Sequence, residues 1–155
     1  MMRIRGRQLA AGLICAACGS VAVVATRADG AVGPSQIRIT DVQVSDKLVR
    51  PPGGRQAGTV ELIRQRLYNP ALSERSIGRS LLVCTYSDGP DRSCVGTYVL
   101  PKGNLVVEGA VQTRLLYDIA VVGGTGLYDN ARGTLTVTAS HLHPRHEVLF
   151  FRLVG

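Results

Sequence analysis

The segment Ala120–Gly133, AVVGGTGLYDNARG, constrains this chain more than any other. A β-branched pair, Val121-Val122, runs into Gly123, Gly124 and Gly126, and Thr134–Thr138 (TLTVT) then resumes a strand-like pattern. Glycine accepts positive φ and admits close backbone approach, so the segment reads as a tight corner between two strands. Phosphate-cradling glycine loops lead into a helix instead. The corner predicts an all-β architecture, with Gly123, Gly124, Thr125, Gly126 and Gly133 in structural roles, and argues against a nucleotide site.

The rest of the chain agrees with that reading. Short β-rich runs recur near 37–44, 59–67, 78–86, 93–100, 104–111, 114–122, 132–139 and 147–154. Turn residues separate them, among them Pro51-Pro52-Gly53-Gly54, Asn69-Pro70, Asp88-Gly89-Pro90 and Pro101-Lys102-Gly103. Eight strands at this spacing predict an antiparallel barrel or sandwich. Residues 69–77 have room for one helical turn. Thr134–Thr138 alternates hydroxyl and aliphatic side chains, whereas Glu147–Val154 (EVLFFRLV) is largely apolar on both faces. A strand of the second kind is expected where the outer face meets another subunit or a covering segment.

The amino-terminal end distorts the composition. The 155-residue chain has a formal charge of +7. Arg3, Arg5 and Arg7 precede the apolar stretch Leu9–Ala25, and Val23-x-Ala25 and Thr26-x-Ala28 offer cleavage positions. The expectation is a signal peptide over 1–28, a lead-in over 29–36, and a β-barrel domain over 37–155 that is secreted. A retained anchor and lipidation at Cys18 are the alternatives. Without residues 1–28, 14 basic residues face 11 acidic ones. That surplus is too mild to point to nucleic acid, and no aromatic-basic interleaving supports it. No membrane association is expected after cleavage.

Two of the four cysteines, Cys15 and Cys18, leave with the signal. The remaining pair, Cys84 and Cys94, flanks the turn-forming stretch Ser87–Asp91. A disulfide between adjacent antiparallel strands is the expected product of export to an oxidising compartment.

The glycine corner, Gly-Gly-Thr-Gly-x-Tyr-x-x-Ala-Arg-Gly over Gly123 to Gly133, resembles the signature of plant dirigent proteins and the related allene oxide cyclase-like barrels. Leu100–Leu105 (LPKGNL) with Gly109 is similar to that family's strand–Gly–strand hairpin, and Ile77-Gly78-Arg79 to its Gly-Arg strand start. The resemblance covers roughly residues 58–154. It implies an eight-stranded antiparallel β-barrel, commonly trimeric, with an apolar lumen. Family members steer the coupling of reactive intermediates or cyclise an unstable oxide, so the implied partner is a small hydrophobic molecule and the implied activity that of an isomerase or cyclase without a cofactor. The chain departs from the plant pattern in its cysteine pair, its lack of tryptophan, and Tyr117-Asp118 where Arg-Glu is common. It resembles a secreted bacterial relative.

Several side chains are candidates for such chemistry. Glu108 lies between Val106 and Ala110 on one strand face, and Asp118 between Leu116 and Ala120, so either is a candidate catalytic lumen acid. Outward solvated carboxylates are the competing reading. Tyr86 and Tyr98 share strand parity with the two cysteines and are candidate ligand-binding phenols, expected near each other. Arg132 is a candidate anchor for a ligand oxygen at the barrel mouth, or a partner of Asp118 or Asp129. The segment His141–Glu147 (HLHPRHE) holds three histidines, but Pro144 interrupts the strand geometry and no metal site is expected. Arg64-x-Arg66 reads as a solvated strand face. The Gly-x-Ser-x-Gly elbow, HExxH and Walker loop are absent. Three functions remain open: directed cyclisation or coupling, carriage of a hydrophobic metabolite or lipid, and a structural surface module.

Overall fold

A computed structural model of the chain describes residues 34–50, 57–72, 75–88, 91–112 and 115–154. The expected signal peptide, most of the lead-in, Cys15 and Cys18 lie outside them. Eight strands follow in order: β1 (Gln36–Val49), β2 (Val60–Tyr68), β3 (Gly78–Asp88), β4 (Asp91–Leu100), β5 (Gly103–Val111), β6 (Leu116–Gly124), β7 (Arg132–Ala139) and β8 (His146–Val154). Each pairs antiparallel with its neighbour in sequence, and β1 pairs with β8, so the sheet closes into a barrel. Closure leaves no unpaired edge.

The period-two side-chain rule assigns the two faces of the wall. Odd-numbered positions point inward on β2, β5, β6, β7 and β8, and even-numbered ones on β3 and β4. An up-and-down order also separates the two ends. Connections β2–β3, β4–β5 and β6–β7 share one end with the start of β1 and the finish of β8. The other four hairpins share the opposite end.

The first end is closed by apolar packing. Leu67, Leu105, Leu135, Leu149 and Phe151 are each 0% exposed, and Ile39, Leu100, Tyr128 and Ala131 are buried with them. The Tyr98 ring meets Phe151 edge-on, with centroids 5.2 Å apart, a favourable quadrupole arrangement. This half of the interior is a packed core.

The glycine corner fits against that closed end, and it contains a turn that the sequence reading had not placed. Gly126–Tyr128 forms one turn of 3-10 helix, whose Tyr128 is buried. Gly126 has φ +65°, and a Cβ there would stand 2.5 Å from the Lys102 carbonyl oxygen. At Gly133 φ is +145°, and a Cβ would meet the Arg152 carbonyl oxygen at 1.9 Å. Thr125 joins the corner to β5: its amide donates to Asn104 O, and its Oγ1 accepts from the Asn104 amide at 3.1 Å. Gly124 packs under Tyr128, whereas a Cβ at Gly123 would make only an ordinary contact, 3.8 Å from Arg132 Nη1. Residues 69–72 form a turn closed by Leu72 N–H to Asn69 O, and no helix occurs among the described residues of 69–77, which had room for one helical turn.

Cys84 and Cys94 are directly opposed on β3 and β4 and form a disulfide, with Cα atoms 4.0 Å apart. Both are buried inside the barrel. The bond accords with an oxidising, extracytoplasmic environment.

Candidate functional site

The polar interior gathers at the end opposite the glycine corner. Glu61, Arg92, Tyr117 and Glu147 are each the second residue of their strands, and Tyr86 lies two residues before the end of β3. All five face inward at the mouth carrying the β1–β2, β3–β4, β5–β6 and β7–β8 hairpins. Asp41, Gln65, Ser80 and Tyr98 lie beneath or beside them.

Two hydrogen-bonded groups make up this mouth. In the first, Tyr86 Oη donates to Glu61 Oε2 at 2.9 Å, and the Arg92 guanidinium forms an ion pair with the same carboxylate oxygen. Arg92 also reaches Tyr86 Oη at 3.3 Å. Burial alone would favour the neutral guanidine, but Glu61 and Tyr86 hold Arg92 charged. In the second group, Ser80 Oγ donates to Gln65 Oε1 at 2.6 Å, and Gln65 Nε2 donates to Glu147 Oε2 at 3.2 Å. This relay fixes the Gln65 amide and aims its N–H at the carboxylate.

Asp41 stands directly opposite Glu147 across β1 and β8. It is 0% exposed, and neither carboxyl oxygen has a hydrogen-bond partner. Desolvation, followed by repulsion from Glu147, pushes its pKa up to about 9. The Glu147 backbone N–H opposes this shift but does not reach hydrogen-bonding geometry. Burial also raises the Glu147 carboxyl, with the Gln65 amide and Arg92 working against it. The pair therefore holds a proton that two isolated carboxylates would release.

The phenols report the same convergence. Burial raises Tyr117 and Glu147 adds to the shift; Arg92 works against it, and Asp41 and Glu61 add smaller increments. Tyr98 is raised by burial, and then by Tyr117, Asp41 and Glu147. Of these groups Glu147, Tyr117 and Arg92 retain some exposure. A molecule at the mouth would touch those three, with Asp41 behind Glu147.

The candidate acids from sequence are placed differently. Glu108 and Asp118 both point outward, because the inward positions of β5 and β6 are odd-numbered. Glu108 is exposed, and Asp118 accepts a hydrogen bond from Thr136 Oγ1 on the outer wall. Neither lies in the lumen. Tyr86 and Tyr98 do face inward, but they are not neighbours. Tyr86 is opposite Arg92 and Tyr98 is opposite Ser80, roughly 20 Å apart along β4 at ~3.3 Å per residue. Arg132 is exposed at the closed end, where it donates to Ala131 O, so it is not at the polar mouth. It makes no ion pair with Asp118 or Asp129 among the described residues. His143 and His146 bring their rings within 5.1 Å, yet no cluster of three ligating side chains occurs among the described residues.

Asp41, Glu61 and Glu147 were missed. Strict alternation through β2 would have flagged Glu61, Ile63, Gln65 and Leu67 as one face, a polar–apolar mixture typical of a functional interior. Asp41 had a weaker signal, a lone acid between Ile39 and Gln43 on one strand face.

No protein-family profile matches the chain, and no curated protein matches it by sequence. Solved structures do. A pyocyanin demethylase superposes with a TM-score of 0.65 at 20% identity, covering 77% of this chain and 99% of that one. A pterocarpan synthase dirigent protein gives 0.59 at 16% identity, over 76% and 91% of the two chains. A Diels-Alderase from Streptomyces koyangensis gives 0.61 at 15%, over 77% of this chain and 64% of that enzyme. The fold is that of the dirigent and allene oxide cyclase-like barrels. At these identities the likeness establishes architecture, and function must be argued from the mouth itself.

Proposed function

We propose that this protein is a secreted dirigent-like barrel that receives a small hydrophobic, reactive molecule at its polar mouth and directs its cyclisation or stereoselective coupling. The carrying observation is the proton-holding pair Asp41–Glu147, set beside Tyr117 and Arg92 at the polar end of the barrel. The structural neighbours include proteins named for pterocarpan synthesis and for the Diels-Alder reaction, which supports the reading.

The chemistry asked of such a site is modest. Packing the ligand's apolar part against the barrel interior selects one folded conformer, and each ~1.4 kcal/mol of preference gives a factor of ten between products. Glu147 touches the ligand, and in a ring closure that moves a proton it gives or takes that proton, which Asp41 behind it shares. The Arg92 guanidinium, held by Glu61, stabilises a developing oxyanion. Proton donor and acceptor belong to the same pair, so the cycle closes without a cofactor. A homo-oligomer, by resemblance a trimer, would cover the apolar outer wall.

The test is incubation of the mature protein with two kinds of precursor: a prochiral phenol oxidised to radicals in solution, and a tethered diene–dienophile. Chiral chromatography should show enantiomeric excess, or a raised cyclisation rate, with one of them. Racemic product at the uncatalysed rate from every precursor would overturn the proposal.

A further inference from the structure

The outer wall carries a feature that the mouth does not use. Register between β1 and β2 shifts from Gln43 to Ser45, leaving Val44 as the extra residue of a β-bulge. Bulges bend a strand and re-aim its side chains, often beside functional sites. Next to this one, on the solvent side, lies a groove of about 450 Å³. Its floor includes Val44, Leu81 and Val99, and its rim carries Arg64, Arg66 and Arg79. Val44 and Leu81 are unusually bare for aliphatic side chains, 50% and 44% exposed.

The charges are arranged against electrostatics. Arg66 and Arg79 are directly opposed across β2 and β3, and Arg64 occupies the next outward position on β2. Like charges so placed destabilise a strand pair. None of the three forms an ion pair among the described residues. An anion across the rim would convert this repulsion into paired, charge-assisted hydrogen bonds, and the planar guanidinium fork suits a carboxylate. The apolar floor beneath it adds a demand for hydrocarbon. The volume is within the range of small-molecule sites.

We propose that this groove is a second binding site, on the outside of the barrel, for a small amphiphilic carboxylate. Its head lies between Arg66 and Arg79, and its alkyl chain runs over Leu81, Val99 and Val44. The site is separate from the mouth, and its occupant need not be the molecule transformed there.

Decanoate, used below its micellar concentration, is the probe. Calorimetric titration of the mature protein should show saturable binding that weakens as salt is raised. In the double variant Arg66→Gln/Arg79→Gln, whose changes fall on exposed strand positions, affinity should drop at least tenfold with the fold retained by circular dichroism. Decanol and decyltrimethylammonium should each bind at least tenfold more weakly to the wild type. Absence of decanoate binding, equal affinity in the variant, or equal binding of either analogue would overturn the proposal. So would sedimentation showing that the double variant dissociates an oligomer while decanoate never binds, which would assign the groove to a second copy of the chain.

Discussion

Asp41 and Glu147 face each other across β1 and β8, and the buried carboxyl of Asp41 has no hydrogen-bond partner. Buried polar groups are rarely left so, because an unmade hydrogen bond costs about 1–3 kcal/mol and a bare charge far more. The sequence tolerates this cost at the one end of the barrel where inward side chains are polar. Stability given up at a cluster of convergent ionisable groups is a mark of a working site.

That relationship predicts an unusual pH dependence of stability. A carboxyl whose folded pKa is raised to about 9 keeps its proton in the folded state and loses it near pH 4 when unfolded. The contribution is therefore fully present below about pH 4 and declines as pH rises through the interval up to about 9. Denaturant titrations of the wild type should show stability falling from pH 5 to pH 8. Asp41→Asn removes the titrating group, so the variant should flatten that slope and exceed the wild type at pH 8 by about 2 kcal/mol or more. A wild type whose stability rises over this interval would contradict the assignment.

The Arg92–Glu61 pair should behave in the opposite way. Both partners are largely buried, and Glu61 also accepts from Tyr86. Arg92→Met leaves an unpaired carboxylate inside the barrel and should cost about 3–5 kcal/mol. Changing both, Arg92→Met with Glu61→Gln, should recover much of that loss, because the orphaned charge is gone. A double-mutant cycle by chemical denaturation measures the coupling.

Cys84 and Cys94 sit one inward position from Tyr86 and Arg92, so the disulfide underlies the ion-paired half of the mouth. Their sequence separation is 10, and closing so short a loop contributes about 3 kcal/mol in the chain-entropy treatment. Non-reducing peptide mapping of exported protein should recover the linked pair. Reduction should lower the denaturation midpoint by a matching amount, and an unchanged midpoint would deny the bond a stabilising role.

The fold was legible because its signals are local. Turn residues marked five of the seven connections, the Thr134–Thr138 alternation set the phase of β7, and the glycines at 126 and 133 stand where a side chain would strike a carbonyl. The site was harder for the same reason. Glu108 and Asp118 have apolar neighbours two positions away on the outer face as well as on the inner one, so composition could not decide which way they point. Only register and parity along whole strands reveal that. The mouth is moreover assembled from β1, β2, β3, β4, β6 and β8, and no sequence window spans it. Arg132 belongs to the most specific motif in the chain, yet that motif closes the barrel at the end away from the polar mouth.

The separation of the two ends gives the sharpest test of the proposed function. Glu147→Gln keeps the shape and the hydrogen-bonding capacity of the side chain but cannot exchange a proton at neutral pH. If Glu147 moves a proton in the cyclisation, the variant should lose about 100-fold or more in rate, the usual contribution of a positioned acid or base. Stereochemical bias should survive in part, because conformer selection depends on packing that the substitution leaves intact. Glu108→Gln and Asp118→Asn lie on the outer wall and should leave both rate and product ratio unchanged. Rate measurements with chiral product analysis on the three variants decide between the two sets of acids. Loss of activity in Glu108→Gln with retention in Glu147→Gln would move the chemistry out of the mouth.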